Sequence, residues 1–157
     1  MAVGTATARK TYPAALIPVT PTCDYSRLWM MPPTGDFRDL HAWQESMVAA
    51  EIIIPILPGI RGPGARDLID QFARAIDSIH SNIAEGYGKG FCPDNIRYLK
   101  IALSSATEAE TRLEGAVRTG RLKHPDARRG IEQLRRARAL IVGLVRHIEK
   151  RLRDDPQ

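Results

Sequence analysis

A chain of 157 residues with 23 Lys or Arg against 18 Asp or Glu, a formal charge of +5, is sized for one domain built on one core. It contains no run of eighteen apolar residues, which excludes a membrane-spanning helix, and no apolar stretch of signal-peptide length after Arg9 and Lys10, so the expected compartment is the cytoplasm. Two cysteines, Cys23 and Cys92, make no disulfide framework, and with no histidine pair nearby they make no zinc site.

Residues 1–35 are rich in Ala, Thr and Pro and have neither helical nor strand period. Pro13, Pro18, Pro21, Pro32 and Pro33 punctuate them, so they read as a disordered leader, or as an upstream extension of a frame starting at Met30 or Met31. Trp29 is its bulkiest residue. A single domain is expected over residues 36–153, with 154–157 as a tail.

Within that domain Phe37, Leu40, Trp43, Gln44, Met47 and Val48 have helical spacing. Ile52, Ile53 and Ile54 extend this first helix until Pro55 and Pro58 end or kink it. Gly59 to Gly64 reads as a turn. A second helix is expected from about Ala65 to about Gly86, with Leu68, Ile69, Phe72, Ile76, Ile79 and Ile83 on one face. Ser78, Ser81, Asn82 and Glu85 interrupt that face where it should be deepest. Buried polar groups cost free energy unless bonded, so these four are expected to bond the next turn or a neighbouring helix. Gly86, Gly88 and Gly90 are expected to supply the left-handed backbone that closes the helix.

Pro93 suits the first turn of a third helix, behind the poor cap Cys92. Its stripe is Ile96, Leu99, Ala102, Leu103, Ala106, Leu113, Ala116 and Val117, running to about Thr119, with Gly120 as its stop. A fourth helix runs from about Asp126 to Arg153 and places Ile131, Leu134, Ile141, Val145, Ile148 and Leu152 on one side. No segment alternates with period two. Four helices joined by short turns favour antiparallel neighbours, an all-α, up-down four-helix bundle. Phe37, Trp43, Ile52 to Ile54 and Ile101 exceed what four inward stripes need, and the surplus points to a homo-oligomer.

Catalytic chemistry finds little support. A di-metal centre in a bundle needs Glu-x-x-His on two helices, and here Asp77 before His80 is the nearest approach, without a second copy. Glu108 and Glu110 are two apart and point to different faces, so Glu85 and one of that pair are expected to bond Arg74, Asn82 or backbone inside or between bundles. The glycines from Gly86 to Gly90 mimic a phosphate loop but follow a helix where a strand is required. No serine, histidine or cysteine spacing places a base on a nucleophile. No catalytic residue, metal or cofactor is assigned.

Charge is the stronger signal. Residues 118–153 hold twelve Lys or Arg against three acids, whereas residues 1–117 hold eleven against thirteen. Arg128, Arg129, Arg135, Arg136, Arg138, Arg146, Lys150, Arg151 and Arg153 surround the apolar stripe of the fourth helix. Arg129, Arg136 and Lys150 stand at multiples of seven and share a face; Arg128, Arg135 and Arg146 lie close to it. Together with Arg151 these are the candidate contacts to RNA or DNA. No base-reading motif accompanies them, so binding should follow phosphate and shape. The alternative is a solvated face, its arginines paired with Glu132 and Glu149 in an interaction scaffold without a nucleic-acid role.

Three blocks of sequence carry a family resemblance. They are Asp36-Phe37-Arg38-Asp39-Leu40-His41-Ala42-Trp43-Gln44; Gln71 to Ala75 continuing to Ser78-Ile79-His80-Ser81-Asn82-Ile83-Ala84-Glu85-Gly86; and Tyr98 to Ala102 followed by Ser105, Glu108, Glu110 and Leu113. In order and spacing, over about residues 36–120, the chain resembles the bacterial four-helix-bundle proteins first described from intervening sequences of 23S ribosomal RNA genes. It departs from that pattern at His80 (usually proline), Ala73 (usually arginine), Ser104 (usually glycine), and Ala106 and Ala109 (usually leucine). The resemblance implies a left-handed antiparallel bundle that assembles as a homopentamer with a central opening and has no known catalytic activity. It marks Arg74, Ser81, Asn82, Glu85, Gly86, Glu108 and Glu110 as a structural motif. A more distant relative, similar in architecture, assists reverse transcriptases of diversity-generating retroelements and binds nucleic acid through a basic pentamer surface, so by analogy of fold and charge an accessory role beside a reverse transcriptase is a further alternative.

Overall fold

Residues 35–154 are described by the computed structural model, and every regular element among them is helical. The expected leader, with Cys23 and Trp29, lies outside them except for Gly35, as does the expected tail except for Asp154.

The first described element is capped by Asp36. Its carboxylate accepts the Arg38 N–H at 2.9 Å, while Asp39 accepts the Asp36 N–H at 3.3 Å. This reciprocal cap starts a short 3-10 turn, Phe37–Asp39, and brings the Phe37 ring edge-on to Trp43 with centroids 5.3 Å apart. Helix α1, His41–Ile53, follows. The prolines do not kink it. The chain tightens after Ile53 into a second 3-10 turn, Ile54–Gly59, that holds both Pro55 and Pro58. That turn buries Ile56 and Leu57, and Ile60 just beyond it, which closes this end of the bundle.

Helix α2, Ala65–Gly88, buries Phe72, Ile76, Ile79 and Ile83 as its spacing predicts. It runs past Gly86, and the expected role of that glycine is corrected. Gly86 is helical and buried, and a Cβ there would lie 2.8 Å from Asn95 Oδ1 and 3.2 Å from the Asn95 carbonyl oxygen. The position excludes a side chain because α3 approaches closely. Of the three glycines only Gly90 adopts the left-handed conformation, at φ +73°. The stop is built by Lys89 and Gly90, whose N–H groups donate to the carbonyls of Gly86 and Tyr87 at 3.0 Å each.

Helices α3, Pro93–Arg118, and α4, Asp126–Asp154, complete the fold. Each helix packs on two others in the cyclic order α1, α2, α3, α4, and the short connections make neighbours antiparallel. Small residues set the spacing. Ala102, Ala106 and Ala109 of α3 are fully buried, and a Cβ on Gly130 of α4 would stand 2.8 Å from Ile53 Cγ1. The apolar surplus is smaller than the sequence suggests, because Ile53 belongs to the core and Phe37 and Trp43 partly cover one another. The large apolar side chains left exposed are Val48, Ile54, Ile101 and Val117. Among the described residues no helix is long and apolar enough to cross a membrane.

The up-down order assigns an end to every loop. The α1–α2 and α3–α4 connections meet at one end: the Arg61 N–H donates to the Arg121 carbonyl at 2.8 Å, and the Arg121 guanidinium donates to the carbonyls of Arg61 and Pro63 at 3.0 and 2.9 Å. The opposite end holds Asp36, the α2–α3 turn and the C-terminus of α4.

Candidate nucleic-acid interface

The polar residues of α2 divide into those the fold uses and those it leaves outside. Asn82 Nδ2 donates to the Ser78 carbonyl at 2.7 Å and to Ser78 Oγ at 3.0 Å. Ser78 Oγ in turn lies 2.9 Å from Ser105 Oγ, which is buried in α3. The chain Asn82, Ser78, Ser105 therefore ties α2 to α3 where neither helix can reach water freely. Ser81, Glu85 and Arg74 do not join it. All three are exposed, and within one chain Asn82 bonds Ser78 rather than Glu85. Positions 74, 78, 81 and 85 follow one stripe of α2, and of the four Ser78 is the one in hydrogen-bond contact with α3.

Glu108 and Glu110 face different ways. Glu108 is exposed and accepts both Nε and Nη2 of Arg112 on its own helix, at 2.9 and 2.7 Å. Glu110 is buried, its side chain only 11% exposed, and accepts Nε of Arg135 at 2.6 Å across the α3–α4 seam. Arg138 Nη1 stands 3.3 Å from the other carboxylate oxygen, an ion-pair contact that lacks hydrogen-bond geometry. Glu114 adds a second, longer contact to Arg135 at 3.5 Å. The bond from Glu110 first, then its charge, holds the Arg135 guanidinium more firmly protonated than usual. On the other flank of α4, the buried Gln133 donates to the Glu45 carboxylate at 2.6 Å, and Arg136 lies 3.7 Å from the same carboxylate.

These contacts divide the basic face that helical spacing groups together. Arg135 and Arg136, in the middle of α4, are held by acids of α3 and α1. Of the two acids in the alternative reading, Glu132 reaches Arg135 through its charge alone, and Glu149 lies 4.0 Å from Lys100 of α3. Arg128 and Arg129 are exposed in the first turns of α4 and make no ion pair with a described acid. Arg146 and Lys150 are likewise exposed and unpaired near its far end, where Arg151 lies over the Phe91 ring at 4.6 Å.

The unpaired cations of α4 thus fall into two groups towards opposite ends of the bundle, with Arg135, Arg136 and Arg138 facing acids between them, while Arg74 of α2 stands exposed and apart from both groups. Lys123 and Arg66, exposed and also without an ion pair to a described acid, join Arg128 and Arg129 at the end where Arg61 and Arg121 clasp the two connections. Sequence reasoning missed this grouping because Arg66 and Lys123 lie outside the basic helix. The up-down topology was the available signal: it returns the start of α2 and the start of α4 to the same end. Arginines at a helix N-terminus repel its positive dipole end, and an incoming phosphate relieves that repulsion.

Compared with known proteins, residues 38–143 match the family described as 23S rRNA-intervening sequence protein. The match takes in all of α1, α2 and α3 and the first part of α4, and ends before Arg146. No curated protein matches the chain.

Proposed function

Because the chain belongs to the 23S rRNA-intervening sequence protein family, we propose that it is a non-enzymatic, cytoplasmic, homo-oligomeric bundle, a ring of five copies, that binds RNA or DNA through phosphates. The reading is supported by one observation: on α4 the exposed cations without an ion pair to a described acid lie towards its two ends, while Arg135, Arg136 and Arg138 along its middle face acids of neighbouring helices. A cation spent on Glu110 has little left for a phosphate. Lys123, Arg128 and Arg129, and at the other end Arg146 and Lys150, bring their full charge to a polyanion. Every copy in a ring presents the same ends, so contacts that are weak singly add along one strand.

Self-association is supported by the exposed Val48, Ile54, Ile101 and Val117 and by a shallow groove along α3 lined by Ile96, Lys100, Ile101, Ser104 and Glu108. Light-scattering mass tests the assembly, and a monomer at micromolar concentration removes both ring and avidity. Fluorescence anisotropy against unrelated RNA and DNA sequences tests the binding. Similar affinities that fall steeply with salt are expected. Binding that survives at high salt or prefers one sequence contradicts the phosphate reading. The same cations support the second reading, a protein-interaction scaffold, if they meet acidic protein surfaces; absence of nucleic-acid binding near physiological salt selects it.

A further inference from the structure

We propose that the end of the bundle holding the α2–α3 turn stacks unpaired nucleobases on Phe91 and Tyr98, so that the chain prefers single-stranded nucleic acid over duplex. Stacking here rests on the phosphate-binding reading above and adds the part of the polymer that is recognised, the base faces beside the phosphates. Each of the two rings carries a cation. Cζ of Arg151 lies 4.6 Å from the Phe91 ring centroid, and Cζ of Arg97 lies 4.7 Å from that of Tyr98. The Lys89 ammonium stands 5.7 Å from the same tyrosine centroid. The exposed His147 ring meets Phe91 near edge-on, with centroids 6.4 Å apart. The last turns of α4, the turn after α2 and the second turn of α3 supply this set, and the up-down topology brings them to one end.

Both rings are anchored. Phe91 is half-buried and packs against the core beside a small apolar cavity that it shares with Leu144 and Ile148. Tyr98 is also half-buried, and its Cβ stands 3.2 Å from a Cβ built on Gly86. Rings fixed by packing lose little further freedom when a base arrives. A guanidinium layered on a ring extends the platform, because it is flat and weakly hydrated, stacks on bases itself, and keeps N–H groups for the adjoining phosphate. Arg97 is shared with Asp94 at 3.8 Å, whereas Arg151 makes no ion pair with a described acid, so Phe91 with Arg151 is the stronger platform. The other group of unpaired cations, Lys123, Arg128 and Arg129, has no cation over a ring among the described residues. The two ends therefore differ in chemistry. Charge alone favours the denser phosphates of a duplex, which hides its base faces. Rings interleaved with cations favour single strands, and without sequence preference, since every base has a π-face.

The test follows fluorescence anisotropy of the full chain at one salt concentration with a labelled single strand of mixed sequence, an abasic strand of equal length, and a duplex. The abasic strand keeps every phosphate and loses every base. It should bind about five-fold or more weaker than the intact strand, and the intact strand should bind more tightly than the duplex. Phe91→Leu and Tyr98→Leu, which keep apolar bulk but lose the ring face, should each weaken intact-strand binding by a similar factor and leave duplex and abasic affinities near those of the parent. An abasic strand or a duplex bound by the parent as tightly as the intact strand overturns the proposal without recourse to a variant, and leaves the phosphate reading standing. Leucine variants that weaken all three ligands alike also overturn it. Absence of binding to every strand near physiological salt overturns both stacking and the phosphate reading.

Discussion

Replacing Gly86 by alanine puts the account of helix contact to a direct test, because two effects of opposite sign compete there. Alanine favours an interior helical position over glycine by about 1 kcal/mol. Against this, the new Cβ would stand 2.8 Å from Asn95 Oδ1 and 3.2 Å from the Asn95 carbonyl oxygen. The side chain cannot simply move aside, since Asn95 is buried and its Nδ2 donates to the Gly90 carbonyl at 2.7 Å. Losing that bond leaves buried polar groups unmet at about 1–3 kcal/mol. Keeping it pushes α2 away from α3, an overpacking cost of about 1–3 kcal/mol. Set against the propensity gain, either route leaves Gly86→Ala destabilised by up to about 2 kcal/mol net. Gly115 is the control: it is also helical and exposed, and a Cβ there meets nothing within 4 Å. Gly115→Ala should therefore stabilise by about 0.5–1 kcal/mol. Urea unfolding at one fixed protein concentration measures both, with midpoints moving in opposite directions. A Gly86→Ala protein as stable as the parent, or more so, refutes the close-approach argument and returns Gly86 to an ordinary helix position.

Asn82→Ala should cost about 1–2 kcal/mol in the same assay by breaking the chain through Ser78 to Ser105, whereas Ser81→Ala and Glu85→Ala should stay within about 0.5 kcal/mol of the parent. Glu110→Ala should cost about 2 kcal/mol, because it removes a buried acceptor between α3 and α4, and Glu108→Ala no more than about 0.5 kcal/mol, because its partner lies on the same exposed helix turn. Burial holds the His80 imidazole below its usual value of 6.5, with Asp77 opposing, so the folded state prefers it neutral. Its contribution to stability is complete above that value and is lost as pH falls through it towards the folded pKa; thermal melts between about pH 7.5 and about 5.5 should show the wild type losing ground to His80→Gln.

The helices were legible because their apolar residues recur three and four apart, and Pro93 and Gly120 mark ends that the structure keeps. Local signals misled where a contact between helices decides. Gly86 carries the same letter as Gly90, yet one admits a neighbouring helix and the other reverses the chain. Pro55 and Pro58 announced an end to α1 without saying that the following turn would tighten and bury Ile56 and Leu57. The candidate site suffered most. A seven-residue interval identifies cations on one face of one helix, but it contains nothing about acids on others. Arg135 meets Glu110 across 25 residues of sequence and Gln133 meets Glu45 across 88, so which charges stay free depends on how the helices are set against one another.

The most direct measurement compares salt dependence for two triple variants of equal charge change. Lys123→Gln, Arg128→Gln and Arg129→Gln remove cations that make no ion pair with a described acid, whereas Arg135→Gln, Arg136→Gln and Arg138→Gln remove ones that acids of neighbouring helices already hold. Each phosphate contact contributes about 0.9 to the slope of log affinity against log salt on duplex DNA, so losing three flattens it by about 2.7. The account predicts that flattening for the first variant, with its melting temperature intact. For the second it predicts a slope near wild type with a lowered melting temperature. Equal flattening by both variants would contradict it, since charges bound within the fold would then count as fully as free ones.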